Sequence, residues 1–388
     1  MSKQLPSGFM FYLVAGEASG DKHGAELLRE LKVTYPEANF AGVGGRHLKA
    51  AGQDQLFDLA EHAVVGLTDV LLNFFKFKKM FNKVLQDLQE KKPEVLILID
   101  FPGFNLRLLN KVKVALPNTK VVYYISPQVW AWKAGRAKKM AEQIDLLLVI
   151  FPFEKTWFSE RYPKFNVQWI GHPILDRWDV HRAQTPWEDL PKRVMLLPGS
   201  RRKEISNHLP IFLKTVEDLS DYFNDFVYTI LAADPEAEKL IRKIIVANEA
   251  TNLNIEISSG YQLTHLSKAK LALVASGTAT LECALAGVPM FVVYKTSPIT
   301  YFIGRLLVKL EFLSMVNLIA GKKIVPEFLQ GKANSEHLYQ ASKMFLESNE
   351  AAESMRRNLR DVVQELGQPG ANKQAVIKIS DYLKNALG

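Results

Sequence analysis

A chain of 388 residues is too long for one ordinary hydrophobic core and suits two. Its 48% hydrophobic and 23% charged content is that of a globular protein, and a single cysteine, Cys283, excludes an intrachain disulfide and any Cys-rich metal site. The net charge of +8 accompanies no recognisable nucleic-acid module, and no apolar run approaches the ~18 residues of a membrane span, so neither nucleic-acid binding nor a spanning segment is expected.

In chain order, the first apolar run, 9–15, reads as a strand rather than a signal peptide, which predicts a cytoplasmic protein. It ends in GEASGD (16–21), a loop with two glycines, two carboxylates and a serine. Further strands are predicted at 38–43, 95–100, 120–125, 145–150 and 167–170, alternating with helical patterns such as 26–32 and 133–142. That alternation predicts a doubly wound parallel sheet. The strand 95–100 is a continuous apolar run that ends in Asp100.

Residues 69–85, DVLLNFFKFKKMFNKVL, predict a helix with two apolar groups. Val70, Phe74, Phe77, Phe81 and Val84 share one face, enough to pack on a core. Leu71, Leu72 and Phe75 lie on the other, beside Lys76, Lys79 and Lys83. Exposed apolar side chains among lysines fit a surface that dips into an anionic bilayer; a helix buried on two sides would show the same pattern. The segment 298–310 is a second amphipathic candidate, more suited to a core.

The polar stretch 177–193, with Pro186 and Pro191, reads as a linker. A second alternating run follows, with strands at 193–198, 227–232, 253–257, 271–275 and 290–294. Two of its strands run into small-residue turns: VMLLPGSR (194–201) ends in Gly199, Ser200 and the cation Arg201, and LALVASGTATLE (271–282) passes through Ser276, Gly277 and Thr278 into a helix carrying Glu282. Such turns open helices whose free N–H groups and positive dipole end suit an anion, while each alone is also an ordinary capped loop. Ligands of open α/β sheets sit beyond the carboxyl ends of the strands, so four such loops belong to one expected cleft. The tail from Ser335 is helical and rich in Glu, Lys and Arg.

GEASGD (16–21), SPQVWAW (126–132), PFEK (152–155), GHP (171–173), LPGSR (197–201), SGTATLE (276–282) and NLIAG (317–321) occur in one order. That series closely resembles the lipid-A-disaccharide synthase family, inverting glycosyltransferases of the two-domain GT-B architecture, over about 11–329. The resemblance implies a Rossmann-like first domain, 1–176, a linker, 177–192, a UDP-sugar-binding domain, 193–365, and a last helix, 366–388, that crosses back to the first. One departure is Gly103, where the family often carries a second Asp; Asp100 is in place.

The implied reaction transfers 2,3-diacylglucosamine from its UDP donor to 2,3-diacylglucosamine 1-phosphate. The acceptor's 6-hydroxyl attacks the anomeric carbon, UDP leaves, and a β-1,6 linkage forms. Direct displacement needs a base and neutralisation of charge growing on the diphosphate. Asp100 is the expected base, and a carboxylate that caps the turn 102–105 is the structural alternative. Arg201, with Gly199 and Ser200, is expected at the diphosphate, completed by Ser276, Gly277 and Thr278, with Glu282 on the ribose. Glu17, Ser19 and Asp21 are expected on the acceptor side, and Asn317 by resemblance only. His172, between Gly and Pro at a strand end, fits either a hydrogen bond to nucleotide or an acid–base group, or equally a pin at the hinge. Trp130 and Trp132 suit an acyl or sugar surface or plain packing. No Asp-x-Asp pair occurs, so a basic and backbone cradle is expected in place of a metal, and no cofactor is expected.

The expected partners are the two acylated sugars and the cytoplasmic leaflet of the inner membrane of a Gram-negative-type bacterium; a homodimer is allowed. Two alternatives stand beside this: another GT-B enzyme of UDP-N-acetylglucosamine (a 2-epimerase or peptidoglycan glycosyltransferase), or a basic binding protein without catalysis.

Overall fold

The computed structural model of the chain describes residues 5–59, 70–131, 133–177, 185–259, 263–297, 301 and 311–386, with side chains throughout except at 70–76, 177, 263 and 264. The chain divides into two compact units, Met1–Asp176 with Leu366–Gly388, and Arg177–Glu365.

The first unit holds seven parallel strands, β1 (Met10–Ala15), β2 (Asn39–Gly44), β3 (Asp54–Asp58), β4 (Val95–Ile99), β5 (Lys120–Tyr124), β6 (Leu146–Val149) and β7 (Val167–Trp169), in the order β3-β2-β1-β4-β5-β6-β7. Helices α1 (Ala18–Thr34), α2 (Arg46–Ala50), α3 (Val70–Lys91), α4 (Pro102–Ala115), α5 (Arg136–Gln143) and α6 (Pro152–Arg161) connect them. The central strands are apolar throughout because helices cover both faces: β4 is Val-Leu-Ile-Leu-Ile, fully buried. The edge strand β3, Asp-Gln-Leu-Phe-Asp, was not expected from the sequence, since its polar ends mask the alternation.

The second unit holds β8 (Arg193–Leu197), β9 (Val227–Ala232), β10 (Ile255–Ser259), β11 (Leu271–Ala275), β12 (Met290–Tyr294) and β13 (Glu327–Leu329), ordered β10-β9-β8-β11-β12-β13 and all parallel. Its helices are α7 (Arg202–Ser220), α8 (Pro235–Ala247), α9 (Leu263–Leu266), α10 (Ala279–Leu285), α11 (Met315–Ala320), α12 (Ser335–Leu346) and α13 (Asn349–Glu365). β13 has only three residues, too few for a sequence signal. The stretch expected to link the units is, from Thr185 onward, docked on the second. Trp187 is buried, its indole donates to the carbonyl of Lys270 at 2.8 Å, and the Lys270 ammonium donates back to the carbonyls of Trp187 and Glu188.

The last helix, α14 (Ala371–Ala386), belongs to the first unit. Asp176 accepts from the N–H groups of Gly370, Ala371 and Asn372, placing a carboxylate at the helix's positive end. Asn372 accepts from the hydroxyl of Tyr124 on β5, and Tyr35 after α1 donates to Ser380.

Candidate active site

In an open α/β sheet the ligand crevice forms where the strand order reverses. In the first unit that point lies between β1 and β4, which pair in register with Ala15 opposite Ile99. The next residues are Gly16 and Asp100. Asp100 and Phe101 both take the left-handed backbone (φ 42° and 48°), a conformation that costs non-glycine residues about 1–3 kcal/mol each. The turn lays the Phe101 ring so close to Gly16 that a Cβ there would lie 2.0 Å from it. From behind, the Tyr123 hydroxyl donates to the carbonyl of Asp100 at 2.6 Å and the buried Asn105 amide at 2.8 Å. The strand therefore ends at Ile99 rather than at 100, and Asp100 sits in the reversal that follows.

Burial, and then the neighbouring charge of Glu17, push the Asp100 carboxyl up to about 6, against one hydrogen bond from the Phe101 N–H. A base with that affinity is ionised at neutral pH yet holds a proton well enough to take one. Glu17, at the N-cap position of α1, is half-buried, and Ser19 is exposed in the first turn. Asp21 departs from expectation. It is buried, and its carboxylate accepts from the N–H groups of Gly45, His47 and Leu48 at 2.7–3.0 Å. It anchors the start of α2 because those N–H groups have no helical partner.

Sequence reasoning passed over Glu154. This carboxylate is buried, accepts from the Trp130 indole at 3.0 Å, and also takes the N–H groups of Ile150 and Phe151. Burial pushes it up to about 7; these three hydrogen bonds lower it and the Asp100 charge raises it. The acid at the third position of α6 is a helix-start signal, which accounts for two of its bonds. Its hold on Trp130 joins two segments 24 residues apart, and no local pattern reports that. Trp130 also meets the Phe153 ring edge-on at 4.8 Å. Trp132 lies outside the described residues.

His172 is buried against Phe151, accepts from the Ile174 N–H on Nδ1, and donates its own backbone N–H to the carbonyl of Leu366. Those contacts are a pin where the C-terminal segment rejoins the first unit.

In the second unit the strand order reverses between β8 and β11, which pair with Leu197 opposite Val274. Their carboxyl ends carry Pro198–Arg201 and Ser276–Thr278, so the two loops are neighbours. Gly277 (φ 151°) and Thr278 are exposed, with open space around the glycine. Ser276 donates to the Leu313 carbonyl. Glu282 is half-buried in α10.

The other loop is arranged differently from expectation. The N–H groups of Ser200 and Arg201, expected to face phosphate, donate to Glu204 at 3.1 and 3.2 Å, and the Arg201 guanidinium pairs with the same carboxylate. An acid three residues into α7 satisfies the orphan donors of the helix start. Gly199 (φ 115°) is required there, since a Cβ would lie 2.6 Å from that of Glu204. The Arg201 side chain itself stays 77% exposed. Asn317 is fully buried and uses its whole amide on structure: it donates to the Val325 carbonyl and Glu327, and accepts from Ile324 and Val325. It knots α11 to β13 and is not presented to a ligand.

The family model of lipid-A-disaccharide synthetase matches residues 11–379. The chain belongs to this family. A lipid-A-disaccharide synthase 1 of Legionella pneumophila (strain Lens) is 38% identical over 376 residues, 95% of this chain and 96% of that one. Among solved structures, the S. aureus MnaA–UDP complex superposes with a TM-score of 0.64 at 14% identity, covering 97% of each chain. CalG4, the calicheamicin glycosyltransferase, gives 0.59 at 14% identity, covering 98% of this chain and 99% of that one. These likenesses place the fold among GT-B proteins, and family membership makes the chain a glycosyltransferase of lipid A biosynthesis.

The side chains of Leu71, Leu72, Phe75 and Lys76 lie outside the described residues, as do 302–310. Farther along α3, Lys79 and Lys83 are exposed while Met80, Val84 and Leu88 pack into the core. Among the described residues no helix is long and apolar enough to cross a membrane, and no cluster of His, Cys, Asp and Glu could hold a metal ion.

Proposed function

We propose that this enzyme transfers 2,3-diacylglucosamine from UDP to the 6-hydroxyl of 2,3-diacylglucosamine 1-phosphate, with inversion to a β-1,6 linkage. The observation that carries the mechanism is Asp100: a carboxylate at the reversal point of the first sheet, on a strained turn, with proton affinity raised to about 6. Asp100 takes the proton of the attacking hydroxyl, and Glu17 beside it keeps that proton affinity high. UDP is held by the second unit, with its diphosphate at Arg201 and the Gly277–Thr278 backbone and its ribose at Glu282. Arg201 is available to the diphosphate because an exposed pair with Glu204 contributes about 0–1 kcal/mol and is easily exchanged. The charge of the leaving group is met by this cation and by backbone N–H groups rather than by a metal.

Both sugars carry acyl chains, and we read α3 as the face that meets the inner leaflet as a peripheral contact, with Lys79 and Lys83 toward anionic lipid. The test of the reaction is mass spectrometry for disaccharide 1-phosphate from the two acylated monosaccharides. Turnover of UDP-N-acetylglucosamine without an acyl chain, and none of the acylated donor, would favour the epimerase-type reading instead.

A further inference from the structure

One face of α7 reaches both loops that flank β11. Glu204 holds the N–H groups of Ser200 and Arg201, as described above. One turn on, Asn207 donates to the carbonyl of Lys295 at 3.2 Å, and His208 accepts from the N–H of the same residue on Nε2 at 3.0 Å. The other ring nitrogen of His208, Nδ1, lies 3.1 Å from the carbonyl of Pro198. Pro198 follows β8 and Lys295 follows β12, the two neighbours of β11 in the sheet. One buried imidazole therefore ties together the loops on either side of Ser276–Thr278.

The partners fix the state of the ring. A carbonyl only accepts, so Nδ1 carries the hydrogen; a backbone N–H only donates, so Nε2 must keep its lone pair. Only the neutral Nδ1–H tautomer satisfies both. A proton on Nε2 would set two donors against each other and break the bond to Lys295.

We propose that His208 is a positioning residue of the nucleotide site: in its neutral form it sets the spacing of the loops around Ser276–Thr278, and proton binding to the ring opposes UDP binding. This rests on the reading of those loops as the UDP site. The charged groups facing the ring are Glu204 on its own helix and Lys295 from the loop it holds, with Tyr294 and Phe212 beside it. Burial lowers its proton affinity, and Lys295 adds to that, against the Pro198 carbonyl and Glu204.

The test uses the full chain with 15N-labelled histidine. Ring resonances of His208, assigned by loss in His208→Gln, are titrated with and without saturating UDP. A diphosphate acting through charge alone would raise the His208 midpoint, whereas coupling through the loops lowers it. The expected result is a lower midpoint with UDP, and a raised or unmoved one overturns the proposal. As a second arm, His208→Phe keeps the ring but loses both bonds. At pH 8 it should keep its melting temperature within a few degrees and bind UDP about tenfold more weakly in calorimetry, the scale of one or two lost hydrogen bonds. Unchanged affinity in a folded His208→Phe also overturns it. If the parent binds no UDP at all, the nucleotide-site reading falls first and takes this one with it.

Discussion

The side-chain amide of Asn105 donates to the main-chain carbonyls of both Ile99 and Asp100, at 3.1 and 2.8 Å. The carboxylate proposed as base is thus fixed through its own backbone, by a residue at the start of the following helix. A left-handed turn at Asp100 and Phe101 would otherwise relax toward extended backbone, and the amide makes the strained form the one with satisfied carbonyls. Asn105→Leu should therefore lower stability by about 1–3 kcal/mol, because the Ile99 carbonyl loses the amide and the Asp100 carbonyl keeps only the Tyr123 hydroxyl. It should also reduce kcat more than KM, because the base is displaced rather than removed. Denaturant melts and steady-state kinetics measure both; loss of stability with full kcat would separate the turn from catalysis.

Replacing the proposed base itself should give the larger effect. Asp100→Asn should fold and bind UDP like the parent while kcat falls about 10²–10⁴-fold. Near-normal turnover in a folded Asp100→Asn enzyme would remove Asp100 from the reaction.

Because Asp100 must be ionised to accept a proton, kcat/KM should rise with pH through about 6 and level off above it. The negative charge of Glu17 holds that midpoint up, so Glu17→Gln should move it to lower pH. A midpoint that does not move in the Glu17→Gln profile would mean another group is titrating.

Glu154 makes a prediction about stability with the opposite pH sense from a salt-bridged acid. Its carboxyl sits near 7 when folded against an ordinary value of 4.5, so the folded state favours the protonated form. The stability this contributes is complete below about pH 4.5 and is lost as pH rises through 7. Glu154→Gln keeps the shape and cannot ionise. Its single amide oxygen can accept from Trp130 or from the Ile150 and Phe151 N–H groups but not from both, a cost independent of pH, so its melting temperature relative to the parent should climb between pH 5 and pH 8. A difference that stays flat across that range would show that Glu154 does not titrate there.

At the membrane, Lys79 and Lys83 would each contribute about 1 kcal/mol near an anionic surface, a contribution that salt screens. The purified enzyme should co-sediment with anionic but not zwitterionic vesicles, and high salt should release much of it. Lys79→Glu with Lys83→Glu should weaken that binding, and Leu71, Leu72 and Phe75 changed together to Ser should abolish it, with UDP binding unchanged in both. Vesicle binding unaltered in both variants would place the docking surface elsewhere, with 298–310 the next segment to test.

The sequence by itself determined the two parallel sheets, the family, and the small-residue loops at the strand ends. Those are local properties: apolar runs of four to six residues, glycine at forced turns, and motifs held in a fixed order. It also determined that Asp100 stands at a strand end, but not that the strand stops one residue earlier in a left-handed turn, which depends on Asn105, Tyr123 and the bare backbone of Gly16 meeting there. Roles of polar residues were decided by tertiary structure in both directions. Asp21 and Asn317 lie in motifs that invite a functional reading, yet backbone N–H groups and carbonyls that no helix or strand satisfies claim their side chains. Glu154 and His208 look ordinary in the sequence, one a helix-start acid and the other a lone histidine. Folding gives them partners 24 and 87 residues away, in Trp130 and Lys295. A hydrogen bond is satisfied by whatever polar group the fold brings within 3 Å, and no spacing along the chain encodes that distance.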